Sequence, residues 1–202
     1  MRLLAIDTAT PACSVALFQD DHLIAGDHAV IGRGHAERLV PMIAALPDRG
    51  RADRICVSLG PGSFTGVRIG LATARALGLA WGAEVLGYPT LALVAAMARG
   101  ESATAVSVAM TGGHGEWFVQ DFAGTGLPDG DPMSLPPAEA QATCSAALVA
   151  GDRAAELVEA RGWGEAHAML PDARAFGRMP PACLLAALSP LYGRAPDARL
   201  PA

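Results

Sequence analysis

From its first residues the chain sets short apolar runs between turn residues. Leu3 to Ile6 is wholly apolar and is closed by Asp7, the pattern of a strand buried on both faces. Residues 12–18, with Cys13, Val15, Ala16, Leu17 and Phe18, predict a second strand. Asp20-Asp21 predicts a hairpin turn, and residues 22–30 a third strand. From His35 to Leu46, Leu39, Ile43 and Leu46 recur at i, i+4 and i+7, a helical stripe widened by Val40 and Met42. Pro41 sits in its middle, which a helix tolerates at a start or a kink. Residues 54–59, 66–81, 84–88 and 90–99 then read as strand, helix, strand, helix. The order β-β-β-α-β-α-β-α implies a mixed sheet with helices on its faces.

The pattern restarts after Arg99-Gly100-Glu101. Residues 103–110 predict a strand, Gly112 to Gly115 a turn, and residues 116–122 the partner strand. Gly124 to Pro137 is rich in Gly, Pro and Asp and reads as loop. A short strand over 146–150, a helix over 153–161 and a helix near 182–188 in a Pro-rich tail complete the chain. The expected division is a complete N-terminal lobe over 1–100 and a reduced C-terminal lobe over 101–202.

Chemistry concentrates in Cys56 to Ala80, where a strand runs into Gly60-Pro61-Gly62 and then a long helix. Such a junction binds anions in many proteins, and in others it is only a tight turn. Gly60, Gly62 and Gly66 are one residue too widely spaced for a dinucleotide fingerprint, and no Lys follows for a phosphate-binding P-loop. Ser63 lacks the flanking glycines of a nucleophile elbow, so Ser63 or Thr65 is expected to cap the helix. Gly70, Ala74 and Gly78 make one edge small enough to meet another backbone. The rest of that helix is apolar nearly all round, so it needs cover on more than one side.

Composition narrows the rest. The 202 residues are 51% hydrophobic and 17% charged, with no uninterrupted apolar run of membrane-spanning length. Asp7 falls where a signal peptide would be apolar, so a cytoplasmic protein is expected. Cys13, Cys56, Cys144 and Cys183 form no C-x-x-C pair, and the five His show no H-x-x-x-H spacing. Neither a disulfide frame nor a metal site is expected. A formal charge of −5 argues against strong autonomous nucleic-acid binding.

Four segments in this order resemble the TsaB (YeaZ) family of the bacterial tRNA threonylcarbamoyladenosine machinery. They are Leu4 to Thr10, Ala12 to Leu17, His35-Ala-Glu-Arg-Leu-Val-Pro-Met-Ile43, and Gly60-Pro-Gly-Ser-Phe-Thr-Gly-Val-Arg-Ile-Gly-Leu71. The likeness thins afterwards to Glu116-Trp117 and Pro190-Leu-Tyr192-Gly-Arg194. It implies an α/β, actin-like (ASKHA, ribonuclease H-like) fold of two lobes, with mixed sheets flanked by helices. It implies a non-catalytic scaffold that supports the catalytic paralogue TsaD, with the ATPase TsaE, in threonylcarbamoyl transfer to N6 of adenosine 37 of tRNAs reading ANN codons. On this reading tRNA is met only through the complex. The isolated chain could pair with itself, and it needs no cofactor, metal or catalytic residue of its own.

Departures from the wider superfamily shape the site expectations. The stretch Gly87 to Val94, where TsaD carries its metal-binding imidazoles, has none. The Asp-x-Gly-Thr phosphate loop of the kinases reads Asp7-Thr8-Ala9-Thr10 here. Asp7, Thr8 and Thr10 are therefore at most a vestigial nucleotide contact; the plainer reading is that Asp7 caps the turn of Thr8 to Thr10. Gly60, Gly62 and Gly66 form a structural loop. His35, Leu39, Met42, Ile43, Ala72, Ala76 and Leu79 are the expected partner interface. The alternative function is an autonomous ATP-binding phosphotransferase of the sugar-kinase/Hsp70 class, which needs a metal-organising carboxylate, a phosphate loop and a base.

Overall fold

The structure is a computed structural model and describes residues 1–191. The first sheet is built from β1 (Arg2–Asp7), β2 (Ala12–Gln19), β3 (His22–Val30), β4 (Arg54–Ser58) and β5 (Glu84–Tyr88), in the order β3-β2-β1-β4-β5. β2 runs antiparallel to both β1 and β3, while β4 and β5 run parallel to β1. Parallel pairing requires crossovers. These are α1 (His35–Ala45), ahead of β4, and α2 (Phe64–Trp81), between β4 and β5. Strand alternation divides the core. Leu4, Ile6, Val15, Leu17, Ile55 and Val57 face α1 and α2, whereas Ala5, Ala16 and Cys56 face the other way.

That other face meets α3 (Thr90–Arg99), whose residues Thr90 to Ala96 are all buried. Across α3 lies the second sheet: β6 (Val106–Thr111), β7 (Trp117–Phe122), β8 (Pro128–Leu135), β9 (Leu148–Ala150) and β10 (Glu165–His167), in the order β10-β9-β6-β7-β8. One apolar cluster joins Ala5 and Cys56, α3, and Val106, Val108 and Phe122. The helix sandwiched all round is thus α3. The outer face of the second sheet is covered by two short helices, α4 (Pro137–Thr143) and α5 (Ala154–Arg161).

Two expectations are corrected. Gly124 to Pro137 is not all loop, because residues 128–135 form the edge strand β8 on β7. Its Pro and Gly content suits an edge, where half the backbone donors have no ladder to serve. The helix near 182–188 is a single 3₁₀ turn, Pro181–Cys183. Leu185 beyond it exchanges both backbone hydrogen bonds with Gly87, at 2.9 and 2.8 Å. Edge pairing on β5 therefore overrides the local helical pattern. The segment from Ala173 onward returns to the first sheet, with Phe176 packed against Phe18 and Tyr88. Of the tail motif, Tyr192 to Arg194 lies outside the described residues. No helix among the described residues is long and apolar enough to cross a membrane.

Candidate functional site

The glycine loop and the end of β1 are one construction. Ser63 caps α2, its hydroxyl oxygen accepting from the Gly66 N–H at 3.2 Å. The Ser63 N–H donates to the Ala9 carbonyl at 2.6 Å, and the Thr8 hydroxyl donates to the Gly66 carbonyl at 2.8 Å. A methyl group at Gly62 would lie 2.1 Å from the Ala9 oxygen, and one at Gly66 2.0 Å from the Thr8 oxygen. At Gly70 it would meet the Thr8 hydroxyl at 2.5 Å. Gly62 and Gly66 thus admit the backbone of Ala9 and Thr8. The small edge expected at Gly70, Ala74 and Gly78 meets the chain's own side chains first, those of Thr8 and Val57 at Gly70 and that of Val85 at Gly78.

Asp7, Thr8 and Thr10 come together, but facing inward. Asp7 and Thr8 are wholly buried and Thr10 nearly so. The Asp7 carboxylate accepts from the Ala9 N–H at 3.0 Å and from the Tyr88 hydroxyl at 3.2 Å; that hydroxyl also serves the Ile6 carbonyl at 2.9 Å. Burial pushes its pKa up from 3.8 to about 6, and hydrogen bonding, from the Ala9 N–H first and then the Tyr88 hydroxyl, pulls it back only in part. The same burial holds the Tyr88 hydroxyl well above its usual pKa. The Thr10 hydroxyl accepts from the Ala12 N–H at 3.2 Å. Each group is used to hold the turn.

Beside this loop lies a cleft of about 480 Å³. Its floor and walls are the 9–11 loop, Ser63 and Phe64, the β6–β7 turn around His114, and Met110 and Phe118. The Asp7–Thr10 loop, which the resemblance sets where the kinases carry their phosphate loop, borders this cleft through Ala9 and Thr10, and the described residues that line it do not fit a nucleotide. Among the described residues no Arg or Lys lines the cleft, while Glu116 and Asp152 do, so a polyphosphate would meet like charge. The carboxylate that would organise a metal, Asp7, is sealed behind Tyr88. Among the described residues no group of three or more His, Cys, Asp or Glu converges on a metal position. Burial also raises the Cys13 and Cys56 thiols to about 11 and 12, which leaves no thiolate nucleophile there.

The expected interface patch divides. Leu39, Met42 and Ile43 are buried against the first sheet, beside Leu4, Ile6 and Ile55. They are core residues, which corrects their assignment to a partner face. His35 is buried too, its Nε2 2.9 Å from the Thr10 carbonyl and 3.2 Å from that of Ala12. It ties α1 to the loop. Ala72, Ala76 and Leu79 are exposed, Leu79 by 89%. On α1 the outward apolar residues are Ala36, Val40, Pro41 and Ala44. Helical phase chose between the two sides, and a stripe apolar nearly all round did not reveal it.

A family model described as "TsaD: tRNA N6-adenosine threonylcarbamoyltransferase" matches residues 29–128. The chain is 42% identical over 130 residues to the tRNA threonylcarbamoyladenosine biosynthesis protein TsaB of Escherichia coli, covering 60% of this chain and 55% of that one. A solved structure titled "YeaZ from Pseudomonas aeruginosa" superposes with a TM-score of 0.75 at 28% identity, over 95% of this chain and 99% of that one. A second, titled as an uncharacterized Pseudomonas aeruginosa protein with similarity to peptidase YEAZ, matches at 30% identity and a TM-score of 0.72, over 86% and 87%. The chain belongs to the TsaB (YeaZ) family. Its sequence match spans about half the length of the curated relatives, whereas the fold match to YeaZ is nearly complete.

Membership brings the actin-like fold, and the site residues then show what sequence alone missed. Tyr88 closes over Asp7 from β5 and went unsingled, because a tyrosine at a strand end carries no motif. Glu116 is legible in the sequence as the start of a strand and as part of the family likeness, with no site role attached to it. Here its carboxylate is held by the Ser134 hydroxyl at 2.6 Å, across the β7–β8 pair that the loop reading of 124–137 concealed.

Proposed function

We propose that this chain is a non-catalytic subunit of the tRNA threonylcarbamoyladenosine machinery, which docks on TsaD through the outward faces of α1 and α2. One observation carries the docking. Ala72, Ala76 and Leu79 form an exposed apolar strip on a helix whose opposite edge is locked to the first sheet. A leucine exposed by 89% is surface that a partner would bury, and α1 exposes Val40 and Ala44 as well. The names of the relatives supply the pathway, and TsaD is the paralogue whose family model reaches into this chain. TsaE would complete the assembly, and tRNA would be met only through it, consistent with a formal charge of −5. When TsaD is absent, the same strip would favour self-association.

The sealed Asp7 and the acidic cleft count against the phosphotransferase alternative. The test is co-purification with the TsaD of the same organism, followed by reconstitution with TsaE, tRNA and threonylcarbamoyl-adenylate. A heterodimer that restores modification is the expected result. Threonylcarbamoylation of tRNA by this chain alone, or no association with TsaD, overturns the proposal.

A further inference from the structure

We propose that the cleft between the two sheets is a receptor for an organic cation, an alkylguanidinium or alkylammonium group on an apolar stem. The cleft has room for one such group, at about 480 Å³. Its walls are largely apolar, with Met110 and Phe118 contributed by the second sheet. Among the described residues its lining carries the carboxylates of Glu116 and Asp152 and the imidazole of His114, with no Arg or Lys. Of the guanidinium groups near the rim among the described residues, that of Arg153 is committed to the Thr111 hydroxyl and to both carboxylate oxygens of Glu156, and that of Arg68 stacks on the Phe64 ring.

Glu116 is the acceptor with spare capacity. Its Oε2 takes the Ser134 proton at 2.6 Å, which fixes the carboxylate, and Oε1 has no hydrogen bond among the described residues. Asp152 is spent by comparison, accepting from the Thr111 N–H and hydroxyl through its two oxygens. A fixed carboxylate beside an aromatic wall suits a cation whose stem lies on the ring. Similar stacking occurs in the chain itself at the cleft mouth, where the Arg68 guanidinium lies 3.5 Å from the Phe64 ring centroid. A phosphate or carboxylate ligand would face Glu116 with no counter-charge.

The test is a ¹H–¹⁵N NMR titration of the full chain with N-acetyl-arginine methylamide, against N-acetyl-citrulline methylamide as the neutral isostere. The expected result is perturbation of residues 110–118 and 62–64, with citrulline roughly tenfold weaker, the sum of a half-exposed cation–π contact and one ion pair. Glu116→Gln, which keeps an acceptor for Ser134, should remove the preference for arginine at an unchanged melting temperature. Phe118→Leu should weaken the arginine probe about threefold and serves if Glu116→Gln proves unstable. Spermidine is the second arm. Tighter binding of spermidine than of blocked arginine identifies a free polyamine as the source, and the reverse order a partner's side chain. Equal binding of citrulline and arginine, or MgATP perturbing the cleft in their place, overturns the proposal. Leu79→Glu should leave the titration unchanged, which separates this site from the docking face.

Discussion

Asp7→Asn should stabilise this protein at neutral pH and leave it unchanged in acid. The side chain is wholly buried, and its folded pKa of about 6 stands against 3.8 for the free group. The gap is about two pH units, worth about 3 kcal/mol at ~1.4 kcal/mol per unit. The sign follows from linkage. The folded state holds the proton more tightly, so the contribution of this group is most favourable below pH ~4. It declines as pH rises through about 6, and the full cost stands above that. Asn removes the titration while keeping an oxygen for the Ala9 N–H. Its amide can donate to the Tyr88 oxygen, whose own proton goes to Ile6. Urea unfolding of both proteins between pH 4 and 8 measures the difference. The variant should gain up to about 3 kcal/mol at pH 7.5, with the gain closing near pH 4. A difference independent of pH, or a variant less stable at pH 7.5, would mean that the Asp7 charge is compensated in a way that the hydrogen bonds named here do not supply.

Gly66→Ala should destabilise although alanine favours helix by ~1 kcal/mol. Its methyl would sit 2.0 Å from the Thr8 oxygen, so overpacking of ~1–3 kcal/mol and loss of the Thr8 hydrogen bond outweigh the gain; a melting temperature lowered by ~5 °C is expected, and an unchanged one refutes the close-approach account of the glycines. Leu79→Glu should stay folded by circular dichroism yet lose TsaD affinity by more than ~100-fold, about 3 kcal/mol, through a charge desolvated at the interface. Ile43→Glu should instead fail to fold, since Ile43 is a core residue; a folded Ile43→Glu protein that no longer pairs with TsaD would restore it to the interface. The isolated chain with Mg²⁺ and ATP should show no turnover above buffer in a phosphate-release assay, and measurable turnover would revive the kinase reading.

What the sequence determined by itself was the first hundred residues. The order of strands and helices from Leu3 to Arg99 and a helix cap at Ser63 or Thr65 were local matters of periodicity, turn chemistry and spacing. The family could be read from the same stretch, because its motifs are short and contiguous. Tertiary structure decided the rest, for three physical reasons. Edge strands such as β8, and the Leu185 bridge to Gly87, exist only because a neighbouring strand offers its hydrogen bonds. A helix rich in alanine on every side does not announce which side is core, so Leu39 and Ile43 went inward while Ala72 and Leu79 stayed out. The state of Asp7 depends on Tyr88, eighty-one residues later, whose hydroxyl and bulk turn a strand-end carboxylate from a ligand into a buried strut.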